Sequence, residues 1–343
     1  MKIAFMCSSG SPIGIIPPDV YGRGVGGAEL ALVSLAETLA SRGHTVSVYN
    51  NPRQEGTYGG VEYTPHRFLH REGLDALILF RTPWLPIQML DCTKIFWSCD
   101  QYTAGDYDID VFPFVDHTVC ISPHHRDYHL NHYRVREESI SYIDLGVRLQ
   151  DYSQRVQKVK GRCIYCSVPD RGLPLLATMW PLIKQQVPWA SLVITADYRL
   201  WGVPYAGDEK HRAMWEDSMD VVYMGKIPRE KLCQEQMKAE LMVYPCIYDE
   251  LFCISAAECQ VAGAVPVTTT SGALPTTVDV GVKIPLTEAD FMETFISSVV
   301  SLLQNDKRLH SLQEKAKATR SRFNWERIAG EWEKLIGEKN GKW

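Results

Sequence analysis

"DELFCISAAECQVAGAVPVTTTSGALP", residues Asp249–Pro275, decides the reading of this chain. Glu250 and Glu258 bracket seven mostly apolar residues, and the small-residue turn VAGAVPV leads into a Val- and Thr-rich run with the composition of a strand. A helix beginning near Ile254 carries Glu258 one turn in, among Ile254, Ala256, Ala257, Val261 and Ala262, and no Lys or Arg lies within four residues on either side. Burying an unpaired carboxylate there would cost on the order of several kcal/mol. A hydroxyl-rich ligand would satisfy it, as a ribose diol satisfies the acidic residue of dinucleotide-binding folds. Just before the same helix, the backbone N–H groups of Phe252, Cys253, Ile254 and Ser255 and the helix dipole form an anion site suited to a diphosphate. With ribose on Glu258 and diphosphate at the helix start, Glu250 falls beside whatever the diphosphate carries, which would be a sugar.

The rest of the chain supplies a frame for such a site. Its 343 residues, at about 150 per domain, suggest two domains. In residues 1–150, KIAFMCSS reads as a strand and YGRGVGGAE as a Gly-rich loop. A helix with Leu32, Leu35, Ala36 and Leu39 on one face follows, then a stop at SRGH and a second strand, TVSVY. That βαβ unit implies a parallel sheet, continued by DALILF, KIFW, HTVCIS and SISYID. Asp100, just after FWSC, ends a strand on the carboxyl side of this sheet, where doubly wound folds place ligands. After the polar stretch LQDYSQRVQKVKGR the alternation restarts with CIYCSV, SLVITA, VVYMG, ELMVYP and VPVTT, marking a second α/β domain over residues 151–324. The tail, residues 325–343, sets Trp325, Ile328, Ala329, Trp332 and Leu335 on one apolar helix face.

Composition narrows the function. Hydrophobic residues make up 45% and charged residues 22%, the balance of an ordinary globular protein. A net charge of -5 argues against binding nucleic acid through phosphates, and no apolar run approaches the roughly 20 residues of a membrane span. Peripheral contact with a membrane stays open. Ten scattered cysteines behind a start with no secretory pattern suggest free thiols in the cytosol. Cys163 and Cys166 read as buried thiols, His44 as a structural residue at a helix–strand turn, and the basic, His-rich SPHHRDYHLNHYR as a solvated helix face. Asp108 and Asp110 of DYDID read as an acidic loop in preference to a metal-binding pair, so no metal ligand is assigned.

These residues carry a resemblance. Glu250 and Glu258 at their spacing, Phe252, the small-residue helix, GAVPV and SGALP together resemble the paired-glutamate motif of glycosyltransferase family 4, the group 1 glycosyl transferases of GT-B fold. GGAELALVSLAETLASRGHTVSVY resembles that family's opening βαβ, DRGLPLL the start of its second domain, and FNWERIAGEWEKLI its closing helix, which crosses back onto the first domain. The likeness spans nearly the whole chain. It implies two Rossmann-like domains facing a central cleft, and retaining, metal-independent transfer of a sugar from a nucleoside-diphosphate sugar to a hydroxyl acceptor, with no further cofactor. It implies Glu250 on the donor sugar, Glu258 on the ribose, Arg171 on the diphosphate, and Gly26 and Gly27 in the loop that approaches phosphates and acceptor. Three positions depart from the family. Ser167 stands where an Arg is usual, Cys253 where a Gly follows the Phe, and Thr276 where the loop has a Glu. A silent nucleotide-sugar-binding protein and a transferase acting on nucleic acid or protein are the alternative readings.

Overall fold

Ala76–Phe80 (ALILF) is buried at every residue, the pattern of a parallel strand covered on both faces, and two sheets are built largely from such runs. The computed structural model describes residues 1–7, 14–70, 72–195, 197–201, 208–216, 218 and 220–341; Ser8 and Ser9 of KIAFMCSS and the last two residues of the tail lie outside them.

The first sheet contains β1 (Lys2–Met6), β2 (Thr45–Tyr49), β3 (Gly56–Tyr58), β4 (Val61–Thr64), β5 (Ala76–Phe80), β6 (Thr93–Trp97), β7 (His117–Cys120) and β8 (Ile140–Tyr142). Its order is β3-β4-β2-β1-β5-β6-β7-β8, parallel throughout except for the β3–β4 hairpin. The second contains β9 (Arg162–Tyr165), β10 (Ser191–Ile194), β11 (Val221–Tyr223), β12 (Leu241–Tyr244), β13 (Val265–Thr269) and β14 (Val282–Ile284), ordered β11-β10-β9-β12-β13-β14 and all parallel. In each sheet the first strand sits inside and the order reverses beside it, between β1 and β5 and between β9 and β12. Those are the switch points where loops diverge and open α/β sheets bind ligands.

The helices are α1 (Pro17–Gly22), α2 (Gly27–Ser41), α3 (Pro123–His132), α4 (Leu173–Gln186), α5 (Asp208–Ala213), α6 (Arg229–Lys238), α7 (Ile254–Ala262), α8 (Leu274–Thr277), α9 (Phe291–Leu303), α10 (Asp306–Ala318) and α11 (Trp325–Lys339). The chain divides into two units: Met1–Val20, Gly27–Gly146 and Phe323–Trp343 form one, Tyr21–Gly26 and Val147–Arg322 the other. The short segment Tyr21–Gly26 groups with the second unit because it is pinned there. A Cβ on Gly24, at φ 68°, would meet the Ile227 carbonyl oxygen at 2.4 Å, and Arg148 donates to the Tyr21 hydroxyl at 2.9 Å.

Helix α11 buries Trp325, Ile328, Ala329, Trp332 and Ile336, with Leu335 only half-buried. Trp332 meets Trp97 edge-on, 5.1 Å between ring centroids, and Gly146 has no room for a Cβ, which would fall 2.5 Å from the Trp325 ring. His44 bonds Glu333 of this helix at 2.7 Å. The ten cysteines are free thiols. Among the described residues no helix is long and apolar enough to cross a membrane.

Two polar stretches send side chains inward. Lys158, in the polar connecting stretch, turns inward and donates to the carbonyls of Ala239 and Ala262 at 2.5 and 3.0 Å, capping the C-terminal ends of α6 and α7. Helix α3 is not a solvated face at His125 and His129, which are fully buried.

Candidate functional site

At the second switch point, β9 runs into residues 166–172 and β12 into residues 245–253. Gly172 makes the first loop possible: its φ is 133°, and a Cβ there would lie 2.1 Å from the Pro245 carbonyl oxygen of the second loop. This close approach brings the Arg171 guanidinium over the Tyr248 ring, 3.1 Å from its centroid. Burial opposes the charge on Arg171, yet the nearby Glu250 and Tyr248 leave its pKa above the usual arginine value. Glu250 accepts a hydrogen bond from the Tyr244 hydroxyl, which in turn lies 3.1 Å from the Ser167 hydroxyl. With the Tyr244 proton committed to Glu250, Ser167 is the donor of the second bond. A hydroxyl relay onto Glu250 therefore occupies the place where the family usually has an Arg. Burial raises the Glu250 carboxyl above its ordinary pKa, against the lowering effect of Tyr244 and Arg171.

The loop SGALP supports the same residue. Ala273 N donates to the Glu250 carbonyl at 2.7 Å, and Gly272, at φ 55°, has that carbonyl where a Cβ would be. Thr276, in place of the family's Glu, is exposed; its hydroxyl donates to the Ala273 carbonyl at 2.9 Å and its own carbonyl accepts from Arg322 at 2.7 Å.

Helix α7 starts beside this cluster without a side-chain cap, so its N-terminal dipole adjoins the two loops that hold Arg171 and Glu250. Its N-cap, Cys253, has φ 68°, a left-handed conformation that costs a non-glycine residue roughly 1–2 kcal/mol. That explains the usual glycine here and marks Cys253 as a strained substitute. Ser255 donates to the Cys166 carbonyl at 2.8 Å, tying the helix start to the β9 loop. Phe252 is buried, while Cys253, Ile254 and Ser255 are half-buried.

Glu258 faces elsewhere. It is 2% exposed, and its carboxylate is taken by Arg229 of α6 and by Gln236 Nε2 at 3.2 Å. Arg229 also donates to Asp151 at 2.8 Å and to the Tyr152 hydroxyl at 3.3 Å, and Tyr152 donates to Gln236 at 2.6 Å. The cation missing from the local sequence is thus supplied by another helix, and Glu258 is satisfied within the protein.

Asp100 belongs to the first unit. Arg81, at the end of β5 with φ 66°, grips its carboxylate with Nε at 2.6 Å and Nη2 at 3.0 Å and lies 3.5 Å from Glu29 of α2. Gly27 opens α2 in this unit, whereas Gly26 ends the segment that groups with the second. Asp108 accepts from Arg134 N at 2.7 Å, tying its loop to the segment after α3, and Asp110 accepts from Asp106 N at 2.8 Å within the loop, so both acids serve the backbone.

Residues 161–305 match the family model of glycosyl transferases, group 1. Solved glycosyltransferases align over nearly the whole chain. Sucrose-phosphate synthase from Thermosynechococcus elongatus shares 16% identity over 98% of this chain and 99% of its own, at a TM-score of 0.73. Anabaena Alr3699/HepE, solved with UDP and glucose, shares 14% over 98% and 100%, at 0.72. The chain has the GT-B glycosyltransferase fold. WaaG, a glycosyltransferase involved in lipopolysaccharide biosynthesis, matches this GT-B chain at 15% identity over 99% and 100%, with a TM-score of 0.66. No curated protein sequence matches it.

Several partners in this GT-B chain escaped the linear reading: Tyr244 and Tyr248 around Glu250 and Arg171, Arg229 and Gln236 on Glu258, and Arg81 on Asp100. One of them left a signal. Arg229 opens α6, where a cation opposes the helix dipole unless a carboxylate is near.

Proposed function

We propose that this GT-B chain is a retaining glycosyltransferase of family 4, moving a sugar from a nucleoside-diphosphate sugar to a hydroxyl acceptor in glycan or glycoconjugate synthesis in the cytosol. The observation that carries the reading is the convergence of Arg171 and Glu250 beside the uncapped start of α7 at the β9/β12 switch point. The diphosphate would sit on the helix start and Arg171, with Glu250 accepting hydrogen bonds from hydroxyls of the donor sugar. In a front-face displacement the leaving diphosphate takes the acceptor proton, so the protein's main contribution is to stabilise charge on the leaving oxygen. The group 1 match over residues 161–305 supports the donor half of this assignment.

Uridine nucleotides are the first to test, since HepE was solved with UDP-glucose. Thermal shift should show stabilisation by a nucleoside diphosphate, about 2.7 kcal/mol at a hundredfold excess over Kd, and incubation with the matching sugar conjugate and an acceptor panel should release nucleoside diphosphate. Stabilisation without release would support the silent binding protein, a reading favoured by Ser167 at the family's Arg position. No stabilisation by any nucleotide would remove both.

The charge needed at the diphosphate comes from Arg171 and the helix start, where other glycosyltransferase folds use a divalent ion. Turnover is therefore expected to persist with EDTA in the assay. A loss restored by manganese or magnesium would defeat this part of the reading.

A further inference from the structure

We propose that Cys120, His125 and His129 of the first unit form a closed binding site for a zinc ion. Strand β7 ends at Cys120, and Ser122 caps α3 by accepting from His125 N at 3.0 Å, which fixes the phase of the helix. His125 and His129, four residues apart on one helix face, point to the same spot as the thiol. All three side chains are 0% exposed, and their ligand atoms lie within 4.8 Å of one another. The two imidazole Nε2 atoms are 3.1 Å apart, close to the spacing of two nitrogens held about 2.0–2.1 Å from a tetrahedral ion. Ser98 Oγ lies 3.3 and 3.0 Å from those same nitrogens and marks an oxygen-ligand position.

One sulfur and two imidazoles suit zinc, whereas magnesium and calcium demand oxygen ligands. Binding breaks the Cys120 S–H bond and forms a Zn–S bond, with the proton leaving to solvent. It also moves the His125 proton. Without metal, His125 Nδ1 accepts from Ile121 N at 3.3 Å and Nε2 donates to the Asp100 carbonyl at 3.1 Å. Coordination at Nε2 shifts the proton to Nδ1 and gives up both the Ile121 bond and the bond to the Asp100 carbonyl, two neutral hydrogen bonds exchanged for one zinc–imidazole bond. With every ligand buried, the ion would be structural, tying the end of β7, and through Ser98 the end of β6, to α3. The assignment does not depend on the transferase reading.

The test is metal analysis of the full chain, expressed with supplemented zinc and then dialysed against a chelating resin. Roughly one zinc ion per chain is expected. Cys120→Ala and His129→Ala should each lose it, while His124→Ala and His132→Ala, on the same helix but outside the cluster, should retain it. Wild type refolded in cobalt should show a thiolate-to-cobalt charge-transfer band, a readout that stands even if the cysteine variant fails to fold. Less than about a tenth of an ion per wild-type chain after refolding in zinc, or a cobalt spectrum without that band, would overturn the site. Zinc retained in both Cys120→Ala and His129→Ala would do the same.

Discussion

Replacing Arg171 with alanine is expected to lower the single-turnover rate of sugar transfer by about 10²–10³, equivalent to about 2.7–4 kcal/mol, with a smaller loss in donor affinity. In the bound donor the diphosphate is already charged and also faces the start of α7. As the glycosidic bond breaks, more negative charge gathers on the leaving oxygen, and a preorganised cation gains strength at that moment. Arg171 is preorganised: its guanidinium is stacked on Tyr248 and its side chain is 16% exposed. At the position where the family keeps a second cation stands Ser167, whose hydroxyl is engaged with Tyr244, so little compensation is available. Donor dissociation constants and single-turnover rates for wild type and variant decide the matter. Equal losses in both would make Arg171 a binding residue only, and no loss in either would remove it from the site.

The second large effect is on folding. Arg229→Met should destabilise the protein by about 3–5 kcal/mol, because it leaves the Glu258 carboxylate buried without its cation and Asp151 with only Arg148, 3.9 Å away. Urea unfolding of Arg229→Met, Glu258→Gln and the double variant measures the coupling. The double variant should regain part of the loss, since one of the stranded charges is gone. A change in Arg229→Met under about 1 kcal/mol would mean that the pair is not desolvated as its burial implies. The same variants test the ribose assignment. If Glu258 also holds a ribose diol, Glu258→Gln weakens nucleoside-diphosphate binding by roughly 1.5–3 kcal/mol in calorimetry. Unchanged affinity alongside lost stability would leave Glu258 with its structural role alone.

The donor half of the candidate site was legible because its signals are local. Glu250 adjoins a helix start, which its own stretch shows, whereas Arg171 and SGALP are picked out by their resemblance to the family's segments. Glu258 was read less completely for the same reason. No Lys or Arg lies within four residues of Glu258, and its partner, Arg229, lies 29 residues away on α6. The His-rich helix was misread because charge and polarity describe a segment in water. His125 and His129 are instead covered by Ser98, Tyr107 and the Asp100 carbonyl, which come from the end of β6 and the loop after it.

By itself, the sequence determined the two parallel α/β halves, the restart between them, the helix that carries the glutamate pair and the Gly-dependent turns, since each follows from periodicity or from backbone conformations only certain residues adopt. Tertiary structure decided which strand lies beside which, and hence where the switch points fall. It also decided that Tyr244 and Ser167 relay onto Glu250, that Arg229 neutralises Glu258 and that Arg81 holds Asp100. Those pairings join residues on different elements through side chains a few ångströms apart. Nothing in the order of residues along one segment encodes the position of another until the sheet order has brought them together.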